Sequence, residues 1–193
     1  MKLRCSWANY NEAMKKYHDK EWGTPMHDDN LLFEFLTLEG AQAGLSWNTI
    51  LQKRENFRKA FENFDYNLIV KYDEKYIEGL MNNEGIIRNR RKIEAVIANA
   101  KAFLKVRHQF GSFDKYIWKF VNYKTIINKF RELTELPSKT EESKEMSKDL
   151  KKRGFKFVGP TICYAFMQAV GMVNDHVIDC FRYSEIKEIA TKI

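Results

Sequence analysis

His176 and Cys180 place an imidazole and a thiol four positions apart near one end of the chain, and Cys5 and His18 supply the same two residue types near the other. If the segment 171–180 is helical, His176 and Cys180 project from one face. Two thiolates and two imidazoles make a closed, four-coordinate zinc shell, with no position left for water. Such a site would join the two ends of the chain and clasp everything between them as one body. The spacings Cys5-x12-His18 and His176-x3-Cys180 lack the tight Cys-x2-Cys knuckle of common fingers. Residue types therefore leave a plainer reading open, with buried thiols and surface histidines. Cys163, beside Phe166 and Met167 on an apolar face, reads as core filling.

Glu39 is the second chemical candidate. Leu32, Phe35 and Leu36 define the apolar face of a helix expected from about Leu31 to Gly40, capped from Asp28-Asp29-Asn30, and Glu39 falls on that face. Burying an unpaired carboxylate is costly. It is thus either satisfied locally or kept for a ligand, and periodicity alone does not decide.

These groups need a scaffold, and the pattern predicts helices throughout. After Gly40-Ala-Gln-Ala-Gly44, Ser46 caps a helix carrying Trp47, Ile50, Leu51, Phe57, Phe61 and Phe64 as far as Asp65. Shorter helices follow at about 66–72 and 74–83. Asn89 opens a long one through Leu104, and Ser112 caps another with Tyr116, Ile117, Phe120 and Val121. Residues 122–140 read as a connection. A charged helix runs from Thr140 to Arg153, and Gly154-Phe-Lys-Phe-Val-Gly159 leads to Pro160 at the first position of the next. No period-two alternation stands out, so the predicted class is all-α. Helix, glycine-bounded turn, helix is the form of a helix-hairpin-helix, whose backbone N–H groups meet a phosphate without reading a base. An ordinary αα-hairpin has the same outline, and here Phe157 stands where such hairpins usually carry the first glycine. Lys156 could contact phosphate by charge instead.

With 193 residues, 44% of them hydrophobic and 14% aromatic, the chain can fill one sizeable core. We expect a single unit over 1–193: a mainly helical lobe at 31–121, a second lobe from 1–30 and 122–180, and a tail at 181–193 whose order the sequence leaves open. Neither a membrane-length apolar run nor a signal-like N-terminus is seen, and three cysteines cannot all pair. A cytoplasmic monomer is the expectation. The net charge of +7 favours a polyanionic partner without proving one. Two basic clusters, Arg88/Arg90/Arg91/Lys92 and Lys148/Lys151/Lys152/Arg153/Lys156, also read as solvated helix ends.

Arg4-Cys-Ser-Trp7, Tyr17-His-Asp-Lys-Glu-Trp-Gly23, Leu38-Glu-Gly-Ala-Gln-Ala-Gly-Leu-Ser-Trp47, Lys53-Arg-Glu-Asn56, Gly85-Ile-Ile-Arg88, Lys151-Lys-Arg-Gly-Phe-Lys-Phe-Val-Gly159 and Val173-Asn-Asp-His-Val177 together resemble the bacterial type I 3-methyladenine DNA glycosylases, in order and over nearly the whole chain. That resemblance implies a helix-hairpin-helix glycosylase fold whose termini are joined by one structural zinc on Cys5, His18, His176 and Cys180. It also implies a base-contacting carboxylate at Glu39, pocket aromatics at Tyr17, Trp22 and Trp47, and a wedge at Gly44-Leu45 that fills the gap left by a flipped nucleotide. The implied reaction is base-excision repair of alkylated double-stranded DNA, with free 3-methyladenine and an abasic site as products. Asp175 and Asp179 lie near the expected zinc rather than after the hairpin, where many relatives hold a catalytic carboxylate, and no lysine is placed for strand-cleaving Schiff-base chemistry. Two other readings stand beside it. A non-enzymatic zinc-stapled DNA-binding domain leaves Glu39 and the tryptophans without a role, and a zinc hydrolase would need an open coordination position.

Overall fold

The computed structural model describes residues 2–192; Met1 and Ile193, the outermost residues of the expected unit and tail, lie outside the described residues. Capping side chains start the helices where local chemistry predicts. Asp28 accepts from Leu31 N at the head of α2 (Asp29–Gln42), and Ser46 accepts from Thr49 N at the head of α3 (Trp47–Ala60). Asn11 does the same for α1 (Glu12–Lys20), a helix that the sequence reading did not single out. It buries Met14, Tyr17 and His18, spaced i, i+3 and i+4, among charged neighbours. After α3 come α4 (Tyr66–Ile69), α5 (Glu74–Met81), the Asn89-capped α6 (Arg90–Phe110) and the Ser112-capped α7 (Phe113–Trp118). Thr140 and Ser143 form a capping box on α8 (Glu141–Lys152), and Pro160 opens α9 (Pro160–Ala169).

Helix α2 is the axis of the molecule, since every residue from Leu32 to Ala41 is buried and α3, α6, α7 and α9 all pack against it. The single inward face expected from Leu32, Phe35 and Leu36 is therefore too narrow a description. Inward and outward lose their meaning for a helix covered on all sides.

The architecture is mostly helical rather than strictly all-α. Within the segment read as a connection, β1 (Ile126–Ile127) pairs in parallel with β2 (Val173–Asn174). Two residues carry no readable period, so sequence patterning has nothing to detect. This ladder also rules out a continuous helix over 171–180. Residues 181–190 form α10 (Phe181–Ala190), which buries Ile186 completely and anchors Arg182 Nη2 on Thr24 Oγ1 at 2.6 Å. Gly171, at φ +74°, lies so close to Thr24 and Pro25 that a Cβ would collide with their backbone. The two ends of the chain thus pack directly on each other. Among the described residues, no helix is long and apolar enough to cross a membrane.

Candidate active site

A cleft beside the C-terminal half of α2 is lined by Trp7, Tyr17, Trp22, Glu39, Gln42 and Trp47, and closed on its far side by Leu133, Leu136 and Gln168. The aromatics form a contiguous wall. Tyr17 and Trp47 have ring centroids 5.2 Å apart, Trp7 meets Trp22 edge-on at 5.1 Å, and Tyr17 lies 6.2 Å from Trp7. Trp47 Nε1 is buried without an acceptor. The structure thus brings together Tyr17, Trp22, Glu39 and Trp47. Trp7, Gln42, Gln168 and the two leucines join them as residues that sequence reasoning missed. Leu133 and Leu136 come from a short 3-10 turn whose role only tertiary placement reveals.

Two carboxylates on α2 have opposite environments. Glu34 is buried, but Arg54 Nε donates to its Oε1 at 2.5 Å and Arg58 Nη2 at 2.8 Å, and Arg54 also donates to Glu21 at 2.6 Å. Five residues on, Glu39 is 4% exposed, with no hydrogen bond and no ion pair to any described residue. Burial alone raises its pKa to about 8. Burial also raises the Tyr17 hydroxyl, with the nearby Glu39 adding to the effect. The protein therefore shows that it can neutralise a buried acid on this helix, and it leaves Glu39 bare at the cleft wall. A cationic, hydrogen-bond-donating ligand would supply what this group lacks.

Cys5, His18, His176 and Cys180 are all buried, and their ligand atoms lie within 4.8 Å of one another. Cys180 Sγ is 3.4 Å from His18 Nε2 and 3.6 Å from His176 Nδ1, and Cys5 Sγ is 3.7 Å from the latter. Tetrahedral zinc with ordinary Zn–S and Zn–N lengths separates S and N by about 3.5 Å, so the set fits that ion. The outer shell is in place too. His18 Nδ1 donates to Asp19 at 2.8 Å, which Arg4 Nη2 also holds at 2.8 Å, and His176 Nε2 donates to the carbonyl of Trp22 at 3.0 Å. Each imidazole thereby turns its other nitrogen toward the sulfurs. Within the thiol pair, a hydrogen bond from Cys5 followed by the two histidines pushes Cys180 down to about 2, and the same bond with burial pushes Cys5 up. His176 and Cys180 converge through a turn, not along one helix face, with Cys180 at the N-cap of α10. Asp175 has no catalytic placement. It accepts from Tyr164 at 2.6 Å, Asn128 at 2.7 Å and Gln168 at 2.8 Å, and so orients a cleft residue.

Between α8 and α9 the turn runs through Phe157 at φ +53°, the conformation a glycine would adopt there, at a cost of roughly 1–2 kcal/mol for an L residue. Asn99 of α6 holds it from below: its Nδ2 donates to Lys156 O at 3.1 Å and its Oδ1 accepts from Lys156 N at 2.7 Å. A buried Asn at mid-helix was the available signal, and the sequence reading passed over it. Lys148, Lys151, Lys152 and Lys156 are exposed around this turn. Beyond α2, Gly44 at φ +78° has open space around it, and Leu45 is 41% exposed at the mouth of a second cleft that reaches Glu39 and Gln42.

The methyladenine glycosylase family model matches residues 7–183. The DNA-3-methyladenine glycosylase of Haemophilus influenzae is 51% identical over 180 residues, covering 93% of this chain and 97% of that protein. A crystal structure of 3-methyladenine DNA glycosylase I is 49% identical with a TM-score of 0.90, covering 93% of this chain and 98% of the other. A tyrosine-to-phenylalanine variant of such an enzyme, solved in complex with 3-methyladenine, is 34% identical with a TM-score of 0.90, covering 92% and 96%.

Proposed function

The chain belongs to the methyladenine glycosylase family and is a DNA-3-methyladenine glycosylase of base-excision repair; we propose that the bare carboxylate of Glu39 in its aromatic cleft selects the cationic base. Methylation at N3 leaves the nucleotide's purine positively charged, and this weakens the glycosidic bond before any enzyme acts. Selection of the flipped base is then the main task. Tyr17, Trp22 and Trp47 offer electron-rich faces to a cation. Glu39 accepts hydrogen bonds from the base and opposes its charge. As the bond breaks, its electron pair leaves with the base, which departs as neutral 3-methyladenine. Water adds to C1′ with loss of a proton, and an abasic site remains.

The observation that carries this reading is the contrast between Glu34, fully paired, and Glu39, unpaired. A non-enzymatic DNA-binding domain would have no reason to keep an uncompensated buried acid. Hydrolysis without strand cleavage belongs to the same reading. The two-lobe organisation belongs to the same proposal, with Glu39 and Trp47 supplied to the cleft by 31–121 and Tyr17, Trp22 and Leu133 by 1–30 and 122–180. So does action as a cytoplasmic monomer.

The remaining parts act on the duplex. The α8–α9 turn is read as a helix-hairpin-helix that binds phosphate through backbone N–H groups and Lys156, and Gly44-Leu45 as the wedge. Cys5, His18, His176 and Cys180 would hold one zinc, which supplies a structural cross-link between the termini and no open position for chemistry. Release of free 3-methyladenine from methylated duplex DNA, measured with the strand checked for breaks before alkali, tests the assignment. Intact strands bearing abasic sites are expected; duplex binding with no base released would overturn it.

A further inference from the structure

Lys92 ends the run Arg88-Asn-Arg-Arg-Lys92, whose charge suggests a helix start turned to solvent or to a polyanion. Arg88, Arg90 and Arg91 are exposed as such a start would be, and Lys92 departs from it. Arg88 lies 3.7 Å from Glu84, Arg90 lies 2.7 Å from Glu74, and Lys92 turns inward. Its Nζ donates to Ala41 O at 2.8 Å and to Ala43 O at 2.7 Å. These are carbonyls at the end of α2, groups that a helix leaves without intrahelical partners and where its dipole favours a cation. No described carboxylate pairs with Lys92, and burial lowers its pKa.

The turn that follows has little else to hold it. Ala43 is the C-cap, Gly44 is left-handed with nothing within 4 Å of where a Cβ would stand, and Leu45 N donates back to Gln42 O at 2.6 Å. The same last turn of α2 carries Glu39. We propose that Lys92 is a positioning residue for base extrusion. By tying down the carbonyls of Ala41 and Ala43, it fixes the Gly44-Leu45 turn relative to Glu39, so that the wedge and the base pocket engage the same nucleotide at once. The proposal rests on reading that turn as the wedge. A helix cap alone would affect stability and every activity together, whereas a wedge anchor matters only where a base must be pulled from a stack.

Single-turnover excision of 3-methyladenine from duplex and from single-stranded DNA carrying the same lesion separates the two. Lys92→Met keeps the stem and removes the donors. Its duplex rate is expected to fall toward the ~10²-fold loss that a misplaced group causes, while its single-strand rate and its binding of free 3-methyladenine stay near wild type. Lys92→Arg, with two donors restored, recovers most of the duplex rate. Adding Leu45→Ala to Lys92→Met lowers it little further. Equal losses on both substrates, or no loss on either, would overturn the inference. If Leu45→Ala alone leaves the duplex-to-single-strand ratio at wild type, the wedge reading fails and this inference with it. If Leu45→Ala shifts the ratio and Lys92→Met does not, only the role of Lys92 fails. Should Lys92→Met not fold, Lys92→Gln, which keeps an amide donor, is measured in its place with a partial duplex-specific loss expected.

Discussion

Glu39→Gln keeps the shape of the side chain and removes its charge, and its consequences follow from the burial of that group. A carboxylate about 4 Å from a cationic base at an effective dielectric of 20 gains roughly 4 kcal/mol. At pH 7 the empty site, with its pKa raised to about 8, must first lose a proton, which costs about 1.4 kcal/mol for one pH unit. The net is roughly 2–3 kcal/mol, or a ~10²-fold loss in subsaturating single-turnover excision on removal of the charge. Duplex affinity, which on the proposed reading rests on phosphate contacts, should hardly change. The same proton gives two pH signatures. Excision by the wild type should climb from pH 6 to 8 as the carboxylate forms, and Glu39→Gln should show no such rise. Stability should move the other way. The folded pKa lies above the ordinary glutamate value of 4.5, so the folded protein binds more protons than the unfolded chain between those values, and wild-type stability falls as pH rises through that window. Glu39→Gln escapes the penalty, and its melting temperature should gain on wild type from pH 5 to pH 8. A variant that excises at the wild-type rate, or a stability difference flat with pH, would refute the reasoning.

Trp47→Ala should reduce excision in the same assay through lost stacking, since each base–aromatic contact is worth ~1–3 kcal/mol; an unchanged rate would remove Trp47 from the pocket. Metal analysis should find about one zinc per chain, and Cys180→Ala should lower stability by several kcal/mol. An unchanged melting curve in that variant would deny the cluster a structural role. Lys156→Ala should weaken binding to any duplex and reduce the salt slope by about one; altered sequence preference at constant slope would contradict a phosphate role. Asn99→Ala strands the N–H and carbonyl of Lys156, at a cost of about 1–3 kcal/mol, and should weaken duplex binding more than it slows release from single-stranded DNA.

What could be read from the sequence was what local chemistry encodes. Asp28, Ser46, Asn89, Ser112 and Thr140 mark helix starts because a side-chain oxygen can accept an N–H two or three residues on. The four metal-binding candidates were legible by type. Their convergence through a turn was not, because it depends on the packing of Gly171 against Thr24 and Pro25. The same holds for Leu133 and Leu136, whose segment is tied to the far end of the chain by the β1–β2 pairing and by Ile178 N donating to Phe130 O. Lys92 was misread for a related reason: charge in a sequence says nothing of direction, and an ammonium three residues into α6 reaches Ala41 and Ala43 only because α6 packs on α2.

Helix α2 is where these dependencies meet. Arg54 and Arg58 hold Glu34, Glu39 faces the cleft, Gly40 lies where a Cβ would come within 3.3 Å of Phe157 in the α8–α9 turn, and Lys92 holds the C-terminal end. The cleft, the α8–α9 turn and the Gly44-Leu45 turn therefore all adjoin one helix, and a close-packed interior passes a displacement of that helix to all three. Substitutions that displace α2 will mix effects on binding, extrusion and chemistry, unlike the shape-preserving Glu39→Gln. Double-mutant cycles separate them, because residues more than about 7–10 Å apart without shared partners should act additively, whereas those coupled through α2 should not. On this logic Lys92→Met and Glu39→Gln should be non-additive on duplex DNA and additive on single-stranded DNA. On the proposed reading a single strand offers Leu45 no gap to fill, so Lys92 has no part there in how Glu39 reads the base.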